Sequence, residues 1–325
     1  MSDVLVVGAG PAGLSAALTL GRVRRQVLLV DDGSPRNRPS PALHNFLTRE
    51  GASPSEFLET ARRELARYDS VEVVDGNVAD IAEEEEEGRR FDVALDSGRR
   101  ESLTKILLAC GIEDELPVID GLAPLWGTSV LHCPYCHGWE HRDRPLAVIG
   151  ADARTVAQAL HLAALSSETV VCTNGSPPFD DEAMSRLDAA GIGVRTEGIR
   201  TLRANEQGLQ GIEFEDGTVA EAVAAFVGPS ARPKNSLARL LGCALLDDGT
   251  VHVNQLGGTT VAGVFAAGDL ARNPDVPFRG QMILAAASGV LAAMAIEEEL
   301  LTGVTLTSSE STSSRTWRRR RGRNG

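Results

Sequence analysis

The chain has 325 residues, 42% of them hydrophobic, and a formal net charge of −13. That is enough chain for two cored domains, and the acidic balance argues against nucleic acid and anionic membranes as partners. No apolar run reaches membrane-spanning length and residues 1–7 lack the basic start of a signal peptide, so the protein reads as soluble and cytoplasmic, with no membrane partner.

Val4–Val7 predicts a strand, followed at once by Gly8-Ala9-Gly10-Pro11-Ala12-Gly13 and an alanine- and leucine-rich helix over 12–21. A second strand over 27–30 ends on Asp31-Asp32, which completes a βαβ unit. Residues 54–68 carry Phe57, Leu58, Ala61, Leu65 and Ala66 at helical spacing. Strands are expected at 71–74, 78–83 and 91–95, with the glutamate run 83–87 as a solvated hairpin tip, and a buried strand over 106–109 ends on Cys110-Gly111.

Residues 111–117 read as a crossover. A second βα unit then begins: strand Leu146–Ile149, Gly150, a helix over 154–165 and a strand over 170–172. A helix at 181–190, strands near 194–196 and 211–214, and Ala224–Val227 follow, and 228–233 reads as the return linker. A strand over 264–267 runs into Gly268-Asp269, and a long helix over 281–300 closes the fold. One αβ domain, 1–113 plus 232–305, is thus interrupted by another, 114–231. Residues 306–325 hold six arginines and one glutamate, a local +5 that leaves about −18 on the rest. Their Ser/Thr-rich and then Arg-rich composition reads as a disordered tail.

Three glycines after the first strand have separate tasks. Gly8 permits a tight turn, Gly10 lets a pyrophosphate approach the backbone, and Gly13 lets helix pack on strand. The helix start offers free N–H groups and a positive dipole end to the phosphate. Asp31, 23 residues after Gly8, stands where a carboxylate accepts bonds from ribose hydroxyls. This pattern predicts a bound dinucleotide without separating FAD from NAD.

Five cysteines, Cys110, Cys133, Cys136, Cys172 and Cys243, are too few and too scattered for a secreted disulfide framework. Only Cys133 and Cys136 are close, in the run His132-Cys133-Pro134-Tyr135-Cys136-His137-Gly138-Trp139-Glu140-His141, which holds three of the six histidines. A CxxC opening a helix can cycle between dithiol and disulfide, with thiolate stabilised by the helix end and by imidazole. Cysteine and histidine at this spacing can also hold zinc, but there is no second cysteine pair, and no metal is expected. An inert reduced pair is the other alternative. His132 is the preferred general base, with His137 beside the second cysteine.

The segment Gly263-Val264-Phe265-Ala266-Ala267-Gly268-Asp269 resembles the second FAD fingerprint of flavoenzymes with two dinucleotide folds, which implies that Asp269 bonds the ribityl chain. With the first fingerprint, the insert and the CxxC inside it, residues 1–300 resemble the low-molecular-weight thioredoxin reductases. The resemblance implies an α/β fold of two Rossmann-like dinucleotide-binding domains in three-layer ββα form, FAD as cofactor, and a homodimer. It places Cys133 and Cys136 as the redox pair and Gly8, Gly10, Pro11, Ala12 and Gly13 around the FAD pyrophosphate, with Asp31 and Asp32 at the ribose. It further implies cofactor contacts by Asn45, by the Val78 backbone, by Cys110 and Gly111, and by Gln281 and Met282 at the start of the last helix.

The chain departs from that family where NADPH would bind. In Gly150-Ala151-Asp152-Ala153-Arg154-Thr155, Asp152 replaces the middle glycine, and Cys172-Thr173-Asn174-Gly175-Ser176-Pro177-Pro178 lacks the family's paired arginines. The run around His132–His137 is similar to that of the bacterial and fungal dithiol oxidases that close disulfides in natural products such as holomycin and gliotoxin. This implies a small-molecule dithiol substrate, molecular oxygen as acceptor and hydrogen peroxide as product. Cys133 would exchange with substrate and Cys136 face the flavin. His132 would take the thiol proton, and Asp275, near the flavin edge, would orient it. A protein-disulfide reductase fed by NADPH or another donor, and a non-catalytic redox-sensing flavoprotein, are the rival expectations.

Overall fold

The computed structural model describes residues 2–84, 90–276 and 280–306. Residues 85–87 of the expected hairpin tip and 307–325 of the arginine-rich tail lie outside the described residues. The first part runs β1 (Val4–Val7), α1 (Pro11–Arg22), β2 (Val27–Asp31), α2 (Pro54–Leu65), β3 (Val71–Asp75), β4 (Val78–Glu84), β5 (Arg90–Leu95), β6 (Arg100–Leu103), β7 (Lys105–Leu108) and β8 (Ile112–Glu115). The second part runs β9 (Val130–Leu131), α3 (Pro134–His137), β10 (Leu146–Ile149), α4 (Ala153–Ala163), β11 (Thr169–Cys172), α5 (Asp181–Ala189), β12 (Gly193–Arg195), β13 (Ile199–Asn205), β14 (Gly208–Phe214), β15 (Val219–Glu221) and β16 (Ala224–Val227). The chain returns through β17 (Ser230–Pro233), α6 (Ser236–Leu240), β18 (Val251–His252), β19 (Val264–Ala266), β20 (Ala271–Arg272) and α7 (Met282–Thr302).

Two five-stranded sheets organise this chain, in the orders β19-β7-β1-β2-β3 and β12-β11-β10-β16-β9. The neighbours of β1 and of β10 pair with them in parallel. A strand buried on both faces reads as a continuous apolar run, and each residue parity serves a different layer. Val4 and Val6 pack with α1, α2 and α7, whereas Leu5 and Val7 meet Ile81, Phe91 and Val93 of the antiparallel meander β4-β5-β6. In the second sheet Leu146 and Val148 meet α4 and α5, while Ala147 and Ile149 meet the meander β13-β14-β15. Each unit therefore has the expected three layers, helix, parallel sheet and meander. Burying one such Val or Leu side chain is worth about 2 kcal/mol.

Several elements differ from expectation for local reasons. Pro11, at the first helical position where its missing N–H costs nothing, starts α1 one residue early. α2 stops at Leu65, because the chain turns there, Tyr68 N–H bonding the Leu65 carbonyl, to enter β3. The crossover and the return are strands: β8 pairs antiparallel with β17, Ile112 opposite Pro233. Ile112–Glu115 reads IEDE and is nowhere buried, so no apolar run signalled it. Among the described residues no helix is long and apolar enough to cross a membrane.

Candidate functional site

The turn between β1 and α1 is shaped by what its glycines exclude. Gly8 has φ +102°, and a Cβ there would lie 2.5 Å from the Ala109 carbonyl oxygen. A Cβ on Gly13 would overlap the Gly8 carbonyl, whereas a Cβ on Gly10 would meet nothing within 4 Å. Two glycines thus let the backbone close on itself, and the third faces open space where a ligand can approach. Asp31 holds this turn from within: its carboxylate accepts from Ala9 N–H at 2.7 Å and from the Arg62 guanidinium at 2.6 Å. Asp32 accepts from Ser34 N–H and pairs with Lys234 at 3.0 Å; burial alone would raise its pKa, but the Lys234 and Ser34 bonds and the Lys234 and Arg38 charges together outweigh it and hold the carboxyl low. On the far side of α1, Gly289 of α7 allows direct contact with the Ala12 backbone.

This turn forms one wall of a cavity of about 670 Å³. Ala109 to Gly111, just past the end of β7, also line it. Asp269, Gln281 and Met282 line another side, and Leu131, His132, Cys136 and His137 reach it from the second unit. A cavity lined both by an open backbone turn and by a redox-active turn fits a dinucleotide carrying a redox ring.

Cys133 and Cys136 are joined as a disulfide. Cys133 caps the four-residue α3, its sulfur accepting from Cys136 N–H at 3.1 Å. Cys136 lines the cavity and Cys133 does not. The turn is held by α4, with Gln158 donating to the His132 carbonyl at 2.7 Å and His161 meeting the Tyr135 hydroxyl at 3.2 Å. The remaining cysteines are not poised for chemistry: burial pushes Cys110 up to about 11 and Cys172 up to about 12, and raises Cys243 as well.

Charge in the cavity centres on Arg36. It pairs with Asp114 on β8 at 2.7 Å and with Asp269 at 2.8 Å. Burial opposes its charge, but the two carboxylates outweigh burial and raise its pKa. The His132 ring lies 5.7 Å from the Trp126 ring. Its burial, aided by the nearby Arg36 cation, lowers its pKa to about 4. Burial lowers His137 too, with His44 acting in the same direction.

The second βα turn is built differently. Asp152 caps α4 with its own carboxylate, accepting from Thr155 N–H and the Thr155 hydroxyl at 2.9 Å each, and Arg154 pairs with it at 2.8 Å. The anion-binding position of this helix is therefore filled by a side chain. Arg195, beside the end of β11 in register with Cys172, is engaged by Glu197 and Thr218.

Of the residues singled out from the sequence, Gly8, Gly10, Pro11, Ala12, Asp31, Asp32, Val78, Cys110, Gly111, Asp269, Gln281, Met282, His132, Cys136 and His137 line this one cavity. Gly13 acts from behind it. Asn45 does not line it but donates to the Gln281 side chain at 3.2 Å, which places it at the start of α7. Asp275 sits exposed in a turn closed on Asn273 and is outside the cavity lining; the carboxylate that acts on His132 is Asp114. Sequence reasoning missed Arg36, Asp114, Trp126 and His44. None lies in a motif, and only the Pro-rich loop around Arg36 hinted at a constrained segment.

Residues 2–289 match the family described as pyridine nucleotide-disulphide oxidoreductase. A Claviceps purpurea protein named thioredoxin reductase tcpT is 34% identical over 296 residues, covering 86% of this chain and 91% of that protein. Thioredoxin reductase sirT of Leptosphaeria maculans is 31% identical, covering 92% of this chain and 94% of its own length. Among solved structures, the crystal structure of HlmI superposes with a TM-score of 0.86 at 38% identity, covering 92% of each chain. The putative thioredoxin reductase TrxB of Bacillus anthracis gives 0.84 at 33% identity, covering 93% of this chain and 99% of that one.

Proposed function

The chain belongs to the pyridine nucleotide-disulphide oxidoreductase family, as a thioredoxin reductase-like FAD enzyme that exchanges electrons between thiols and disulfides, and from that premise we propose that it runs the exchange oxidatively, on a small-molecule dithiol. The observation that carries this reading is Asp152. A carboxylate fixed at the start of α4 repels the pyrophosphate of NADPH and already takes up the Thr155 N–H of the helix start. Arg195, the guanidinium beside the end of β11 in register with Cys172, is committed to Glu197 and Thr218 rather than left open to a 2′-phosphate.

The cofactor would lie with its pyrophosphate over Gly8, Gly10 and Ala12 and its ribityl chain near Asp269, with Arg36 holding that carboxylate in place. Bound FAD would supply the two-electron acceptor for the Cys133–Cys136 dithiol, and oxygen would take those electrons on as hydrogen peroxide. In the thiol exchange itself, a substrate thiolate attacks Cys133 sulfur, the Cys133–Cys136 bond breaks, and Cys136 leaves as thiolate inside the cavity. The second substrate thiolate then attacks the substrate sulfur bound to Cys133. The substrate leaves as a disulfide and Cys133 departs as thiolate, stabilised by the Cys136 N–H that already points at its sulfur. His132 is kept neutral by burial and by Arg36, which makes it available but weak as acceptor of a substrate thiol proton, with Asp114 offsetting part of the Arg36 charge. The net reaction is dithiol plus oxygen to disulfide plus hydrogen peroxide.

The test is an oxygen electrode with a panel of small dithiols, with and without NADPH. One oxygen consumed and one peroxide formed per disulfide, indifferent to NADPH, is expected, and Cys136→Ser should abolish it. Disulfide reduction that requires NADPH, with no oxygen uptake from any dithiol, would overturn the proposal.

A further inference from the structure

Beside the redox turn, three side chains with metal-binding atoms converge without a role in the exchange just described. His44 comes from the loop after β2, and His137 and Glu140 come from α3 and the turn behind it. One ligand atom from each lies within 4.8 Å of the others. The two imidazole rings stand edge to face at 5.6 Å, and His44 Nδ1 is 3.6 Å from a Glu140 oxygen. Glu50 approaches the same Nδ1 at 2.6 Å, and the Ser40 hydroxyl lies 3.5 Å from His137 Nε2. We propose that His44, His137 and Glu140 form a binding site for a borderline divalent cation of the Zn²⁺ class, which ties the two units of the chain together beside Cys133–Cys136.

Donor chemistry selects the ion. Two imidazoles and one carboxylate suit zinc and its first-row neighbours, whereas calcium and magnesium take oxygen shells. Tetrahedral zinc needs ligand atoms roughly 3.3 Å apart, so side-chain rotation and a shift of about 1 Å complete the set. Three protein ligands leave a fourth position for water or a substrate thiolate, the arrangement of open zinc sites. Glu50, on Nδ1, is the outer carboxylate that fixes the His44 ring and its tautomer when the ion takes Nε2. This site is separate from the zinc site considered for the CxxC, because both cysteines are spent in the disulfide. Its consequence rests on the reading above: an ion on His137 clamps the redox turn against the His44 loop and slows dithiol turnover.

The experiment titrates Zn²⁺ into the oxidised FAD holoenzyme by calorimetry, with no substrate present. One ion per chain is expected. His44→Ala and Glu140→Gln should each weaken binding at least tenfold, Glu140→Gln with flavin absorbance unchanged, and the double variant Cys133→Ser/Cys136→Ser should bind as the wild type does. Absence of binding, binding indifferent to both His44→Ala and Glu140→Gln, or binding lost in the cysteine variant would each overturn the site. In parallel, Zn²⁺ should slow dithiol turnover of the wild type and spare Glu140→Gln. Because binding is read without turnover, failure of the oxidase reading leaves this test intact.

Discussion

The molecule contains the same strand–turn–helix device twice, and the two copies have opposite fates. In the first, Gly8 and Gly13 let strand and helix close tightly and Gly10 leaves the helix end bare, with Asp31 bracing the turn from beneath. In the second, the corresponding positions are Gly150, Asp152 and Thr155, and two side chains satisfy each other and the helix end in a capping box. Both solve the problem of unpaired N–H groups at a helix start. One solution waits for an anion and the other contains it. A fold can thus keep a nucleotide-binding framework as scaffold, here to carry the CxxC on α4 through Gln158 and His161, after its ligand position has been filled.

Substitutions in the two turns should have unequal effects. Gly13→Val should yield protein without flavin, because the new side chain overlaps the Gly8 carbonyl, while Thr155→Val in the second turn should leave the flavin-to-protein absorbance ratio unchanged. Retention of flavin by Gly13→Val would remove the asymmetry. Arg36→Met, which strands Asp114 and Asp269 above the first turn, should cost about 4 kcal/mol in denaturant unfolding of the holoenzyme; a loss under 1 kcal/mol would mean the triad is slack.

The next effect is a pH dependence. His132 falls from its ordinary 6.5 to about 4 in the folded protein, so the unfolded chain binds its proton first. The stability associated with the neutral ring is intact above pH 6.5 and is lost as pH falls toward 4, by about 3 kcal/mol in all. Burial is the main cause, with Arg36 and His137 acting in the same direction and Asp114 opposing them. His132→Asn should flatten the fall between pH 6.5 and 4 in unfolding curves, and an unchanged slope would contradict it. The smallest effect belongs to the second turn: Asp152→Ala removes the cap of α4 and should cost about 1 kcal/mol, without allowing NADPH to reduce the flavin.

What was legible in the sequence was whatever depends on near neighbours. The glycine turn, the cysteine pair and the intrusion of Asp152 are each set within six residues, and the alternating burial of β1 and β10 follows from their apolar runs. Pairings between remote segments were not legible. Arg36 meets Asp114 and Asp269 across 78 and 233 residues, and no local pattern announces a buried ion triad. The charged ribbon β8–β17 was invisible for the same reason. The expectation for Asp275 came from counting residues beyond Asp269; the chain instead turns out to solvent at Asn273, and Asp114 stands by His132.

The direction of electron flow is read by anaerobic stopped-flow mixing. If electrons flow from dithiol to oxygen, excess NADPH leaves the oxidised flavin absorbance unchanged over minutes, while a small dithiol bleaches it and air restores it. Rapid bleaching by NADPH, with none by any dithiol, would contradict the account.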